Sequence, residues 1–594
     1  MSAAGTGVLR VANCSGFYGD RLSAAREMVD GGPIDVLTGD WLAELTMLIL
    51  ARGRMKDPGA GYAKTFVTQM RDVLGDCVAS GIKVVSNAGG LNPAGCAAAL
   101  RSVATELGVD ATIATVTGDD LSGRLDELRA AGVVFVNLDT GEDLDTLGIT
   151  PLTANAYLGC WGIAEALERG ADVVVTGRVT DAAVVMGPAA WHHGWGSHDL
   201  DALAGALVAG HVIECGPQAT GGNYSFFEAV EGLEHPGFPI AEVAADGTSV
   251  ITKHPGTGGR VDVGTVTAQL LYEIGGHRYL NPDVTARFDS IRLDEVGPDR
   301  VRISGVVGEA PPATAKVAMN YLGGFRNSMT FGITGLDVEA KAALLERSLW
   351  ERLGGRESFA ESEVQLIPSG RDDPRTNEDA VSHLRLTVKD ADQAKVGRSF
   401  SSAVVELALA NYPGFFATSP PGEGTPFGVY WPTQVPVAHL AHEVDVDGET
   451  VTLQVADALE AHVETTGTRV PAVAIPSPPP ADSESAQVPL GRICGARSGD
   501  KGGNANVGLW AVSAEAYAWL VDYLDLDMFH ALVPEAAGLE VQRHRFDNLW
   551  ALNFVVVGLL GRGVADSTRS DPQAKGFGEY LRAKVVDVPA VLLD

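Results

Sequence analysis

The sequence is short of positive charge and of paired cysteines, and it holds no apolar run long enough to cross a bilayer. Lys and Arg number 44 against 76 Asp and Glu, a formal net charge of −32. Nucleic acid is bound by clustered cations that displace counterions, so this excess of acid argues against such a partner. It argues equally against adsorption to an anionic membrane surface. An anionic small molecule would need a locally basic pocket. The six cysteines (Cys14, Cys77, Cys96, Cys160, Cys215 and Cys494) lie far apart with no CxxC pair. That spacing suits reduced thiols in a cytoplasm better than a disulfide framework or a structural zinc site. The N-terminal string MSAAGTGVLRVAN has no basic stretch followed by a long apolar core, so no signal peptide is expected. The most apolar helix candidate, 41–51, contains Glu44 and is too short for a membrane span. Familiar catalytic strings are missing too: no GxGxxG follows the first strand, and there is no GxSxG, HExxH or GxxxxGK[ST].

What is present is length, an ordinary apolar content and much glycine. The chain has 594 residues, 45% of them hydrophobic, and 71 glycines. That length implies two to four domains. The first 190 residues repeat one rhythm: a short β-branched run, a polar glycine-containing turn, then an amphipathic helix. VLRVANC, IDVLT, IKVVSNA, ATIATVT and ADVVVT are the five runs. Alternation of this kind predicts parallel strands with crossover helices, and the unbroken apolar runs predict strands covered on both faces. Ligands of such sheets bind beyond the carboxyl ends of the strands. Here those ends carry Asn13, Asp20, Asp40, Asn87, Asn92, Asp119, Asp120, Arg178 and Asp181. Any one of them is well explained as a cap or turn residue; five strand ends together point to a site.

From about residue 200 to 330 the pattern loosens into glycine-rich loops, and 331–470 alternate helical and strand-like segments. The stretch 471–489, with IPSPPPADSES, reads as a linker. The expected division is an α/β domain over 1–470, with a mainly parallel sheet and crossover helices, and a small α+β domain over 490–594.

Several local strings offer chemistry beside plainer readings. ARSGDKGGNANVG, residues 496–508, sets Arg497, Asp500 and Lys501 among glycines and is flanked by Asn504 and Asn506. It reads either as a cradle for a phosphate or carboxylate or as a long hairpin connection with an internal Asp–Arg or Asp–Lys pair. Lys253, followed by Gly256, Gly258 and Gly259, is a second anion candidate that also reads as a plain turn. In GHVIECG, His211, Glu214 and Cys215 stand close, a nucleophile pattern or an inert buried thiol. WHHGWGSH fits no zinc spacing. Asp119 and Asp120 can approach a divalent ion from a turn, and Arg178 with Asp181 can position a general base.

The strings SGFYGDR, LTGDWLAELTM, SNAGGLNP, GDDL, ANAYLG, VVTGRVTDAA, GHVIECG, TGGN and ARSGDKGGNANVG together resemble the acyclic terpene utilisation (AtuA-type) family, in its motif order and over nearly the whole chain. The resemblance implies a long α/β N-terminal domain and a small ferredoxin-fold C-terminal domain. It also implies a role in citronellol and geraniol degradation, which runs through CoA thioesters and includes a biotin-dependent carboxylation. It supplies no established catalytic residue. One departure stands at Gly503, where the family pattern leads one to expect a second Asp after DKG.

The expected function is therefore that of a catabolic enzyme acting on a branched or terpenoid acyl-CoA, of lyase, hydratase or hydrolase type. The alternative is a non-catalytic subunit that associates with an acyl-CoA carboxylase or another pathway enzyme. Catalytic candidates are Asp40, Asp120, Arg178, Asp181, His211 and Glu214. Binding candidates are Asn13, Asp20, Asn87, Asn92, Lys253, Arg497, Asp500, Lys501 and Asn504. The CoA moiety of the substrate is the expected nucleotide, a divalent metal is a third route, and homo-oligomerisation is expected of a catabolic enzyme this size.

Overall fold

Each of the five β-branched runs forms a strand in the computed structural model, which describes residues 7–455, 470, 472–480 and 482–593. In chain order the first eight strands are β1 (Leu9–Asn13), β2 (Val36–Gly39), β3 (Lys83–Ser86), β4 (Ile113–Thr117), β5 (Thr153–Ala156), β6 (Val173–Thr176), β7 (Pro239–Val243) and β8 (Ser249–Lys253). β1, β2, β3, β6 and β4 lie side by side in that order, all parallel. They are almost wholly buried, as their lack of apolar–polar alternation requires. The crossover helices carry their own stop signals. In Pro93–Leu107, Asn92 Oδ1 accepts from Gly95 N, proline opens the first turn, and Gly108 at φ 66° ends the helix with its N–H on Ala104 O.

The sheet is mixed rather than mainly parallel. Its eleven strands continue beyond β1 through β7, β8, Arg300–Ser304 and Arg292–Gly297, and beyond β4 through Ala441–Val446 and Glu449–Gln454, all antiparallel. The reason is connection length. β7 and β8 are joined by a tight turn at 244–248, which reverses the chain, whereas a parallel pair needs a long crossover.

The chain divides into two compact units, one of Met1–Asn320, Tyr430–Val564 and Asp571–Asp594, the other of Tyr321–Val429 and Ala565–Ser570. Within the second, Phe325–Thr334 pairs with Val381–Asp390, and the helix Val338–Leu353 shares a core of Phe331, Leu345, Leu349 and Leu386.

The C-terminal part of the first unit is a four-stranded antiparallel sheet of two hairpins: Cys494–Lys501 with Asn504–Ala511, and Val541–Phe546 with Ala551–Val556. Helices Ala514–Tyr523 and Leu526–Leu532 separate the hairpins, and Tyr517, Leu520, Phe529 and Phe554 fill the core between. Of the stretch read as a linker, residues 471 and 481 lie outside the described residues and 472–480 form neither helix nor strand. Its end is a strand, Ser485–Pro489, paired with Val585–Pro589. Among the described residues no helix is long and apolar enough to cross a membrane.

Candidate active site

The strand ends do converge. Asp40 follows β2 and is buried, its Oδ1 accepting from Asn87 Nδ2 at 2.5 Å and Leu42 N at 2.9 Å. Asn87, past β3, accepts from Trp41 N. Arg178, past β6, is buried; its backbone N–H donates to Asp119 at 2.8 Å and its guanidinium pairs with Asp181 at 2.7 Å. Gly177 permits this, since a Cβ there would lie 2.2 Å from Asp119 Oδ1. The guanidinium sits 4.2 Å from the ring centre of Tyr157, past β5. Tyr157 donates its hydroxyl proton to Glu44 Oε1 at 2.8 Å, and Lys316 Nζ reaches the same oxygen at 3.3 Å. Asn13, the last residue of β1, donates to Glu214 O and so ties the first strand end to the Glu214 segment.

The other wall comes from the C-terminal sheet. The string read as a loop is a hairpin, Cys494–Lys501 against Asn504–Ala511, turning at Gly502, where φ is 66°. Gly499 and Gly508 let the segment 271–273 press onto it: Cβ atoms there would lie 2.5 Å from Tyr272 and 2.6 Å from Leu271. Asn506 accepts from Glu273 N at 2.8 Å and donates to Leu271 O at 2.9 Å, while Asn553 donates to Gly275 O at 2.7 Å. Three hydrogen-bonding groups of the sheet's asparagines thereby fix the backbone that presents Glu273. Lys501 Nζ donates to Glu273 O at 3.0 Å. At the turn, Gly503 N and Asn504 Nδ2 both donate to Asp139 at 2.9 Å. A Cβ at 503 would lie 2.3 Å from Gly561 O, which accounts for glycine where an Asp is expected. The internal pairs foreseen for Asp500 do not form: among the described residues it makes no ion pair with Arg497 or Lys501, because the hairpin's pleat turns neighbouring side chains to opposite faces.

The two sets of side chains lie close enough to act on one another: Glu273 feels the charges of Glu44 and Asp181, and Lys501 that of Lys316. Glu44, Asp181, Glu273, Lys316 and Lys575 keep 30 to 41% of their side-chain surface accessible. Burial is nevertheless the largest influence on the shifted groups among them. Burial alone would raise Glu44, but Lys316 and Arg178, with the Tyr157 hydroxyl, override it and bring the carboxyl down to about 2. Glu273 is pushed up to about 8 by burial and by the charges of Glu44 and Asp181. Asp500 reaches about 8 through burial, Glu273 and Glu44. Burial, then Asp181, raises Asp40 as well, and burial, Asp181 and Glu273 raise Glu214. Lys501 is lowered by burial and by Lys316. One cleft thus holds an ionised carboxylate and several protonated ones beside four cations, Arg178, Lys316, Lys501 and Lys575.

His211 closes the helix Leu200–Ile213 with Nδ1 3.2 Å from Glu214 Oε1. Burial lowers it to about 4, so the imidazole is neutral, and its ring packs 5.1 Å from Tyr279. Glu214 is the acid beside this imidazole, and burial and Glu214 hold the Cys215 thiol protonated. The nucleophile reading does not survive this geometry.

Other expected residues stand apart from the cleft. Asp20 accepts from Gly16 N and Arg21 N in the loop after β1, and Asn92 caps its helix. Lys253 is neutralised by Asp299 at 3.1 Å and donates to Thr257 O, so it is not a free anion partner. Asp120 is exposed, accepts from Ser122 N, and lines a surface depression with Arg124, Glu127 and His439. Asp119, raised to about 7 by burial, is locked by Arg178 N and Asn155 instead, so the adjacent pair does not open onto one ion. Among the described residues no three His, Cys, Asp or Glu side chains gather in a metal-binding arrangement.

Glu44, Tyr157, Glu273, Tyr279, Lys316 and Lys575 were missed. Glu44 and Tyr157 sit inside strings quoted above, LTGDWLAELTM and ANAYLG, where a charge or hydroxyl on an otherwise apolar face was the available signal. Glu273 and Lys316 gave none.

A family model described as acyclic terpene utilisation family protein AtuA matches residues 9–446. A second, described as the AtuA ferredoxin-like domain, matches residues 488–587. No curated protein matches the chain.

Proposed function

The chain belongs to the acyclic terpene utilisation (AtuA) family, and from that premise we propose that it is an enzyme performing proton-transfer chemistry on branched or acyclic-terpenoid acyl-CoA thioesters. The observation that carries this reading is the split in proton state within one cleft. Glu44 is ionised, at about 2, while Glu273 and Asp500 hold their protons to about 8. Carboxyl groups whose surroundings drive their pKa values apart supply an acid and a base at one pH.

Each wall has a part in this reading. Asp181, partly accessible and oriented by Arg178, is the base. Of the catalytic aspartates expected from the sequence it is the one that remains, since Asp120 lies outside the cleft and Asp40 is raised by burial and held by Asn87. Glu273 and Asp500 form the proton-donating pair. Arg178 and Lys501 face the negative charge that develops on a thioester oxygen when a proton leaves or water adds. The aromatic rings of Tyr157, Tyr279 and Tyr430 supply apolar surface for a branched chain. Hydration, retro-addition and hydrolysis all use this set.

Calorimetric titration with CoA, geranyl-CoA and short branched acyl-CoAs tests the reading. Acyl-CoA binding that is lost in Arg178→Ala and in Lys501→Ala supports one thioester site built from both walls. No binding to the wild type, with a biotinylated protein co-purifying, favours the non-catalytic subunit.

A further inference from the structure

Among the described residues, Arg497 is a guanidinium of the C-terminal sheet whose binding edge is unused. The residue is 6% exposed. Its Nη1 donates to Asn223 O at 3.3 Å, but Nε and Nη2 are buried and, among the described residues, have no hydrogen-bond partner. Those two N–H groups form the side-on fork that grips two oxygens of one anion. A buried donor pair left unmade is costly, so a fork held empty by the fold points to a missing acceptor.

A second cation shares the place. Arg497 and Lys575 each lie 4.4 Å from the ring centre of Tyr272, and Lys575 Nζ also meets the Tyr272 hydroxyl. The acid nearby is Glu273, whose Oε1 is 3.6 Å from Lys575 Nζ. The Cys215 thiol feels both cations. The scaffold is firm: Ser225 bonds both the N–H and the carbonyl of Ala496, and Ser498 accepts from Gly578 N and donates to Lys575 O. The sequence strings TGGN and ARSGDKGGN meet here, through Asn223 and Arg497.

We propose that the Arg497 fork and Lys575 form a phosphate-monoester subsite at the Tyr272 end of the cleft, separate from the Arg178–Lys316 end. Charge decides the class. Two cations facing a dianion leave a neutral group beside the buried Arg497, whereas a single carboxylate would leave one positive charge uncompensated. Glu273, pushed up to about 8 by burial and neighbouring carboxylates, does not compensate them at neutral pH. The subsite goes beyond the proton-transfer reading and does not rest on it, since it needs no thioester.

The test is calorimetry on the full chain with inorganic phosphate, against sodium acetate at matched ionic strength. Saturable phosphate binding is expected, weakened at least about tenfold in Arg497→Lys and in Lys575→Gln, with acetate much weaker. Lys575 is more accessible than Arg497, so Lys575→Gln decides the matter if Arg497→Lys does not fold. Phosphate binding unchanged in Lys575→Gln overturns the proposal, as does acetate binding as tightly as phosphate or no saturable phosphate binding up to about 10 mM. Loss of acyl-CoA turnover with phosphate binding intact would strike the thioester reading and leave this subsite standing.

Discussion

Asn506 grips the chain just before the Glu273 side chain: its Oδ1 accepts from Glu273 N at 2.8 Å and its Nδ2 donates to Leu271 O at 2.9 Å. Glu273 itself sits at φ 54°, a conformation that a non-glycine residue holds only when its surroundings impose it. The C-terminal sheet therefore acts on the site twice, by bringing Lys501, Asp500 and Arg497 and by setting the posture of an acid from the N-terminal part.

Enlarging the glycines under that contact should loosen it. In Gly508→Ala the new methyl meets Leu271, and in Gly499→Ala it meets Tyr272. Each should destabilise the fold by about 1 to 3 kcal/mol through overpacking. Chemical denaturation of the two variants measures this; values near zero would mean that the 271–273 segment moves away at little cost.

Gly503→Asp, which places the acid expected there, should weaken the same junction. Its Cβ runs into Gly561 O, and its carboxylate would stand beside Asp139, which already accepts from Gly503 N. A fall in melting temperature is expected, with the loss smaller at high salt because part of it is charge repulsion.

Stability should decline as pH rises through the neutral range. Asp119 at about 7, and Glu273 and Asp500 at about 8, are all raised by burial above the ordinary carboxylate range. Between that range and those values the folded chain keeps protons that the unfolded chain has released, so the stabilisation is complete below about 4 and is lost by about 8. Thermal melts from pH 5 to pH 8 should show this fall, and Asp500→Asn should flatten part of it. Glu44, lowered to about 2, acts oppositely, losing its contribution only as pH falls toward that value.

Turnover should carry an alkaline limb near 8, set by the Glu273–Asp500 pair titrating together. Glu273→Gln should lower kcat by about 10²- to 10⁴-fold, the usual worth of a general acid, and shift or remove that limb. A purely structural role for Glu273 would lower activity and leave the limb in place.

Half of this site could be read from the chain. Asp40, Arg178 and Asp181 follow short β-branched runs, and a parallel strand sends whatever follows it to the sheet's carboxyl edge. The antiparallel flanks were not legible, since β7 and β8 lie among glycine-rich loops and differ from the parallel runs only in their short turn. Lys316 and Glu273 were invisible for another reason. Lys316 comes from a long strand, Thr314–Thr334, and Glu273 follows a helix, and each gains its meaning from contacts far away in sequence. Lys253 shows the opposite error: a lysine at a strand end beside glycines is an anion site only if no carboxylate comes first, and Asp299 does.

Solvent isotope in the product offers the most direct measurement. Purified protein would be incubated with branched enoyl- and acyl-CoAs in D2O and in 18O-labelled water, and the products weighed by mass spectrometry. Hydration, retro-addition and hydrolysis each leave solvent hydrogen or oxygen in the product, so incorporation is expected in the wild type and its loss in Glu273→Gln. Tight acyl-CoA binding with no label incorporated from any of them would contradict proton-transfer catalysis in this cleft.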